Sequence, residues 1–197
     1  MLTRDVVEKA LERGMDPAGS YPYDVEEIDL TEVVRSCFPE YPRYHLTKHG
    51  LGKDRARVIE TGPGLKLSPR SPHIDMNAVR RAVRFVDLWK PTKEARGTAY
   101  ALKHMAEAPF QQQAGYIGAG EAALACILRG VLVRARTGED GEPWILVALP
   151  KIALVSNESH NPARDRHVSP DKVKEFQDWA RSEHDANVLR RMITSLE

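Results

Sequence analysis

Gly120-Glu-Ala-Ala-Leu-Ala-Cys-Ile-Leu-Arg-Gly130, followed by Val131-Leu-Val-Arg-Ala-Arg136, Thr137-Gly-Glu-Asp-Gly-Glu-Pro143 and Trp144-Ile-Leu-Val-Ala-Leu149, decides the expected fold. The first segment is apolar almost all round, which predicts a buried helix, and Gly130 is a natural stop after it. The two β-like runs flank a Gly- and Asp-containing turn and read as a hairpin.

Upstream, Asp75 can cap a helix whose apolar stripe is Ala78, Val79, Ala82, Val83, Val86 and Trp89, with Arg80, Arg81 and Arg84 toward the other side. Pro91 is expected to end it. A second helix runs through Ala99-Tyr-Ala-Leu-Lys-His-Met-Ala-Glu107, capped by Thr92 or by Thr98, with Lys103 and Glu107 four apart on its outer side. Three helices and a hairpin predict an α+β, mainly helical protein with a winged-helix-like core over 74–156. The expected flanks are N-terminal helices with a Pro/Gly-rich arm over 1–73, and a loop with a C-terminal amphipathic helix over 157–197. In the N-terminal flank, residues 3–13 read as a short helix, Thr31 can cap another over the second half of 25–38, and Arg57–Glu60 is strand-like; within the core, Lys151–Ser156 reads as an extension of the sheet. Ser169-Pro-Asp171 starts the last helix, which bears Phe176, Trp179, Leu189 and Met192.

Thr98-Ala-Tyr-Ala-Leu-Lys-His-Met-Ala-Glu107 and Tyr116-Ile-Gly-Ala-Gly-Glu-Ala-Ala-Leu-Ala-Cys-Ile-Leu-Arg-Gly130 resemble small uncharacterised bacterial and mobile-element proteins. In these, a Ser-Tyr-x-Leu-Lys-His-x-x-Glu helix precedes a Tyr-Ile/Val-x-Asn-Gly segment. Here Thr98-Ala99 stands in place of the Ser pair and Ala119 in place of Asn. The resemblance implies a mobile-element or plasmid setting and no particular activity.

The chain has 197 residues, 42% of them hydrophobic and 29% charged, which is ordinary globular composition. Two cysteines are too few for a disulfide scaffold and suit a reducing compartment. The charged start and the lack of an apolar run near the ~20 residues of a membrane span lead us to expect a cytoplasmic protein without membrane contact. Net charge is only +1, but it is uneven. Residues 74–136 hold 10 Lys+Arg against 5 Asp+Glu, and both flanks are net acidic. Such an excess favours phosphate contacts.

The first functional expectation is therefore a non-enzymatic, DNA-binding accessory or regulatory protein with a basic helix-turn-helix and wing surface. Its last helix is available to form a homodimer. Arg80, Arg84 and Arg136 would meet phosphates; Arg96, Thr98, Lys103 and Arg134 would reach the groove. The alternative is a mobile-element adaptor or inhibitor that binds a protein through Phe38, Tyr41, Arg43 and Tyr44 of the arm and through the C-terminal helix, because interface anchors favour aromatic residues and arginine.

Other chemistries find less support. His45 and His49, with Cys37 upstream, lack the third or fourth partner zinc needs, so no metal or cofactor is expected. Ser156-Asn-Glu-Ser-His160 is adjacency without a triad. Cys126 and His104 read as core and helix-face residues. Thr61-Gly-Pro-Gly64 lacks the Lys-Ser/Thr ending of a phosphate loop.

Overall fold

The computed structural model describes residues 28–61, 67–107 and 116–150. The expected helix over 3–13, the Gly62–Gly64 segment, the strand over 151–156, His160 and the C-terminal helix lie outside the described residues.

Asp29 starts α1 (Leu30–Cys37) by accepting the Thr31 and Glu32 amides at 2.8 and 3.3 Å. A tight hairpin follows, β1 (His45–Thr47) with β2 (Gly50–Gly52), turning at Gly50, whose φ is +124°. Next, β3 (Val58–Ile59) pairs in parallel with β4 (Ile74–Asp75). Asp75 then caps α2 (Met76–Val86) through the Asn77 amide and also accepts the Thr61 hydroxyl at 2.7 Å. Helix α2 closes at Val86, before Pro91, and Leu88 and Trp89 continue its buried face through a turn.

Gly97–Thr98 forms β5 and leads directly into α3 (Ala99–Glu107). Thr98 is the residue that caps α3, accepting the Ala101 amide at 3.1 Å. Helix α4 (Ala119–Leu128) ends at Gly130, which takes φ +66°, and β6 (Val133–Thr137) and β7 (Pro143–Val147) form the expected hairpin. Strand β7 lies between β5 and β6, so the third sheet runs β5-β7-β6.

This is not the mainly helical, winged-helix-like protein that the sequence led us to expect. Among the described residues it is mixed α/β, 35% helical and 20% strand, with four short helices and small sheets. Every residue of α4 from Gly120 to Leu128 is buried, so that helix presents no reading face. The arm also is built into the fold. Phe38, Leu46 and Leu51 join the same core as Val79, Leu102, Leu124 and Val147, and β3 and β4 pair across the 73/74 position. The expectation failed because strands of two or three residues leave no period-2 pattern to read, and β1, β2 and β4 are set by packing against α4, which no local pattern announces.

Two glycines make that contact possible. The Gly120 amide donates to the Lys48 carbonyl at 3.0 Å. A Cβ on Gly120 would lie 1.7 Å from the Thr47 carbonyl oxygen, and one on Gly118 would lie 2.0 Å from that of Lys48. The start of α4 thus lies directly on the β1–β2 turn, backbone against backbone.

Candidate functional site

Two surfaces concentrate chemistry. The first is the solvent face of the β5-β7-β6 sheet. The register sets Arg134 beside Leu146, Arg136 beside Trp144, and Thr98 across from Leu146. Cross-strand partners share a face, so these residues form one surface, while Val133, Ile145 and Val147 of the alternate positions are buried in the core. Trp144 is 43% exposed, and Leu132 at the rim is 41% exposed. Arg134 and Arg136 are exposed and have no ion pair among the described residues.

The second surface lies where α3, the β1–β2 turn and the start of α4 meet. The Lys103 ammonium sits 4.6 Å from the centre of the Tyr116 ring and 5.3 Å from that of Tyr100. The Lys48 ammonium lies 4.7 Å from the Tyr116 ring centre. Tyr116 therefore has two cations against it, an arrangement its ring quadrupole favours. Glu107 is shared: it accepts the Ile117 amide at 2.7 Å, faces Lys103 Nζ at 3.6 Å and faces His104 Nδ1 at 3.4 Å. His104 meets Tyr100 edge to face.

Beneath this cluster, Glu121 is fully buried and accepts the Asp75 amide at 2.8 Å and the Gly118 amide at 2.6 Å, tying β4 to the start of α4. Burial pushes its carboxyl up to about 7, against the opposing pull of those two hydrogen bonds and of Lys48. Burial also raises the Tyr116 phenol, aided by the charges of Glu107 and Glu121, so that side chain stays protonated at neutral pH.

The residues expected at a DNA surface are dispersed. Arg134, Arg136 and Thr98 meet on the sheet face, although the Thr98 hydroxyl is engaged in capping α3. Arg96 precedes β5 and is paired with Glu94. Arg80 is held by Glu60 and by Asn77, and Arg84 is half-buried on α2. Lys103 is 6% exposed, so the expectation that it stands on the outer side of its helix is corrected: the ring of Tyr116 lies against its head, and Lys48 lies against the same ring.

Of the arm residues, Phe38 is wholly buried, and Tyr41 and Tyr44 pack edge to face against each other and against the core. The Tyr41 hydroxyl meets that of Thr137 at 2.9 Å, and Arg43 is exposed. His45 lies on β1 and His49 in the β1–β2 turn, and no group of three or more metal-ligand side chains occurs among the described residues.

Sequence reasoning missed Lys48, Tyr116 and Trp144 as site residues. For Trp144 the signal was available, since strand alternation sets it on the same face as Arg136. Lys48 carries no motif. No helix among the described residues is long and apolar enough to cross a membrane. No family model, curated protein or solved structure matches this chain. What the chain can bind is therefore read from the two surfaces themselves.

Proposed function

We propose that this is a non-enzymatic nucleic-acid-binding protein that engages DNA with the solvent face of the β5-β7-β6 sheet. The observation that carries the reading is the pairing of Arg136 with the exposed Trp144, with Arg134 two residues away on the same face. Two guanidinium groups without carboxylate partners among the described residues are available for phosphates, and an indole beside them offers a stacking surface for an unpaired base. The charge excess of residues 74–136 suits a polyanion and an acidic protein surface alike, so the test must separate the two.

Fluorescence anisotropy with labelled single-stranded and duplex DNA across a salt series provides that test. Affinity should fall steeply with salt, and Arg134→Ala/Arg136→Ala should shallow the duplex salt slope by about 2, one unit for each phosphate that is no longer neutralised. Trp144→Ala should weaken single-strand binding by about 1–3 kcal/mol and duplex binding less. No binding at low salt, or binding that the double variant leaves intact, would remove the sheet face from consideration. The protein-binding alternative draws no support from the arm, whose Phe38 and half-buried Tyr41 and Tyr44 are used within the fold.

A further inference from the structure

We propose that Lys48, Lys103 and Tyr116, with Tyr100 beside them, form a binding site for a phosphate group attached to a nucleobase-bearing ligand. This surface is separate from the sheet face, and its residues carry no part of that reading.

Lys48 is 5% exposed, yet its ammonium makes no hydrogen bond or ion pair among the described residues; its contact is the face of Tyr116. Its three donors are met by no acceptor among the described residues and are open to a ligand. The two carboxylates at hand are already committed, Glu121 to the amides of Asp75 and Gly118, and Glu107 to the amide of Ile117 and to Lys103. Two ammonium groups thus lie against one ring; Glu107 faces that of Lys103, and the charge of Glu121 acts on that of Lys48. An oxyanion bound between them would supply the missing acceptors through charge-assisted hydrogen bonds.

The exposed side of the cluster indicates what is attached to that anion. Tyr116 and Tyr100 are 48% and 53% exposed, large values for aromatic side chains, and both lie within reach of the same Lys103 head. A planar heteroaromatic ring can stack on them while its phosphate reaches the lysines, which describes a nucleotide. The phosphate is either that of a free mononucleotide or the 5′ end of a nucleic-acid strand.

Isothermal titration of the full chain tests this with a nucleoside 5′-monophosphate, its unphosphorylated nucleoside, inorganic phosphate, and a 5′-phosphorylated oligonucleotide beside its 5′-hydroxyl form. The phosphorylated member of each pair should bind about tenfold or more tightly than its partner, a difference of ~1.4 kcal/mol. Lys48→Met should erase that difference, and Tyr116→Leu should weaken the nucleotide more than inorganic phosphate. The pair with the larger discrimination identifies free nucleotide or strand end as the source. Equal binding of phosphorylated and unphosphorylated forms, or discrimination that survives Lys48→Met, overturns the proposal. Should Lys48→Met not fold, amide shifts in the unaltered protein decide: nucleotide-induced changes at Lys48, Lys103 and Tyr116 support the site, and changes confined to the sheet face refute it.

Discussion

Replacing Gly120 with alanine should destabilise the protein by about 1–5 kcal/mol, although the same change in an exposed helix would be favourable by about 1 kcal/mol. The opposing effects can be ranked. Alanine lowers the entropy of the unfolded chain and is the better helix former, together worth roughly 1 kcal/mol in its favour. Against this, the new Cβ would stand 1.7 Å from the Thr47 carbonyl oxygen, when Cβ contacts below 3.0 Å are essentially never seen, so a shift of about 1.3 Å is required. The obstructing atoms are backbone, of Thr47 and Gly50, and cannot rotate away. Moving α4 off the turn costs about 1–3 kcal/mol in packing strain. It also breaks the 3.0 Å bond from the Gly120 amide to the Lys48 carbonyl, leaving both groups buried, for roughly another 1–3 kcal/mol. Urea unfolding followed by circular dichroism measures the sum. Gly141→Ala is the comparison: its φ is +78° but a Cβ there meets nothing within 4 Å, so strain alone applies, about 1 kcal/mol. A Gly120→Ala protein as stable as the parent, or less affected than Gly141→Ala, would refute the backbone-on-backbone contact.

The same core sets three further outcomes. Because the folded Glu121 carboxyl is raised to about 7 from an ordinary 4.5, the folded state holds a proton that the unfolded chain releases between those values. Stability should therefore fall as pH rises from about 4.5 to 7, by roughly 3 kcal/mol, and level off above; Glu121→Gln should flatten that part of a denaturation-versus-pH profile. Leu124→Ala, at a wholly buried position in α4, should cost about 2–5 kcal/mol by thermal or urea unfolding, and a loss under 1 kcal/mol would place that helix outside the core. Cys126 is fully buried and its thiol is pushed far up by desolvation, so a thiol-specific reagent should leave it unmodified in the native state and label it only on unfolding.

The parts legible in the sequence share a physical cause. Helices α2 and α4 and the β6–β7 hairpin are long enough to repeat their pattern, and Asp75, Gly130 and the Gly138–Gly141 turn punctuate them with local backbone chemistry. The β1–β2 hairpin is local but its three-residue strands leave no alternation to read; β3 falls on the strand-like piece at 57–60, while its pairing with β4, 16 residues on, was not legible. The second surface escaped as well. Lys103 and Glu107 read as an outward i,i+4 pair until Lys48 and Tyr116 arrive from elsewhere in the chain. On the sheet face, Arg134 and Arg136 were legible as arginines of the expected hairpin. Their relation to Trp144 needed the register.

The bond between Lys48 and Gly120 also bears on how the chain is made. Residues 28–52 supply Phe38, Leu46 and Leu51 to a core whose central helix is translated some seventy residues later, and Tyr41 meets Thr137 across 96 positions. At a synthesis rate of about 5–20 residues per second, the early segment waits seconds for its partners with those side chains uncovered. A core whose central helix is made so late must wait for long-range contacts, so refolding should belong to the slower, non-local class, and the nascent N-terminal portion should be a ready client for chaperones.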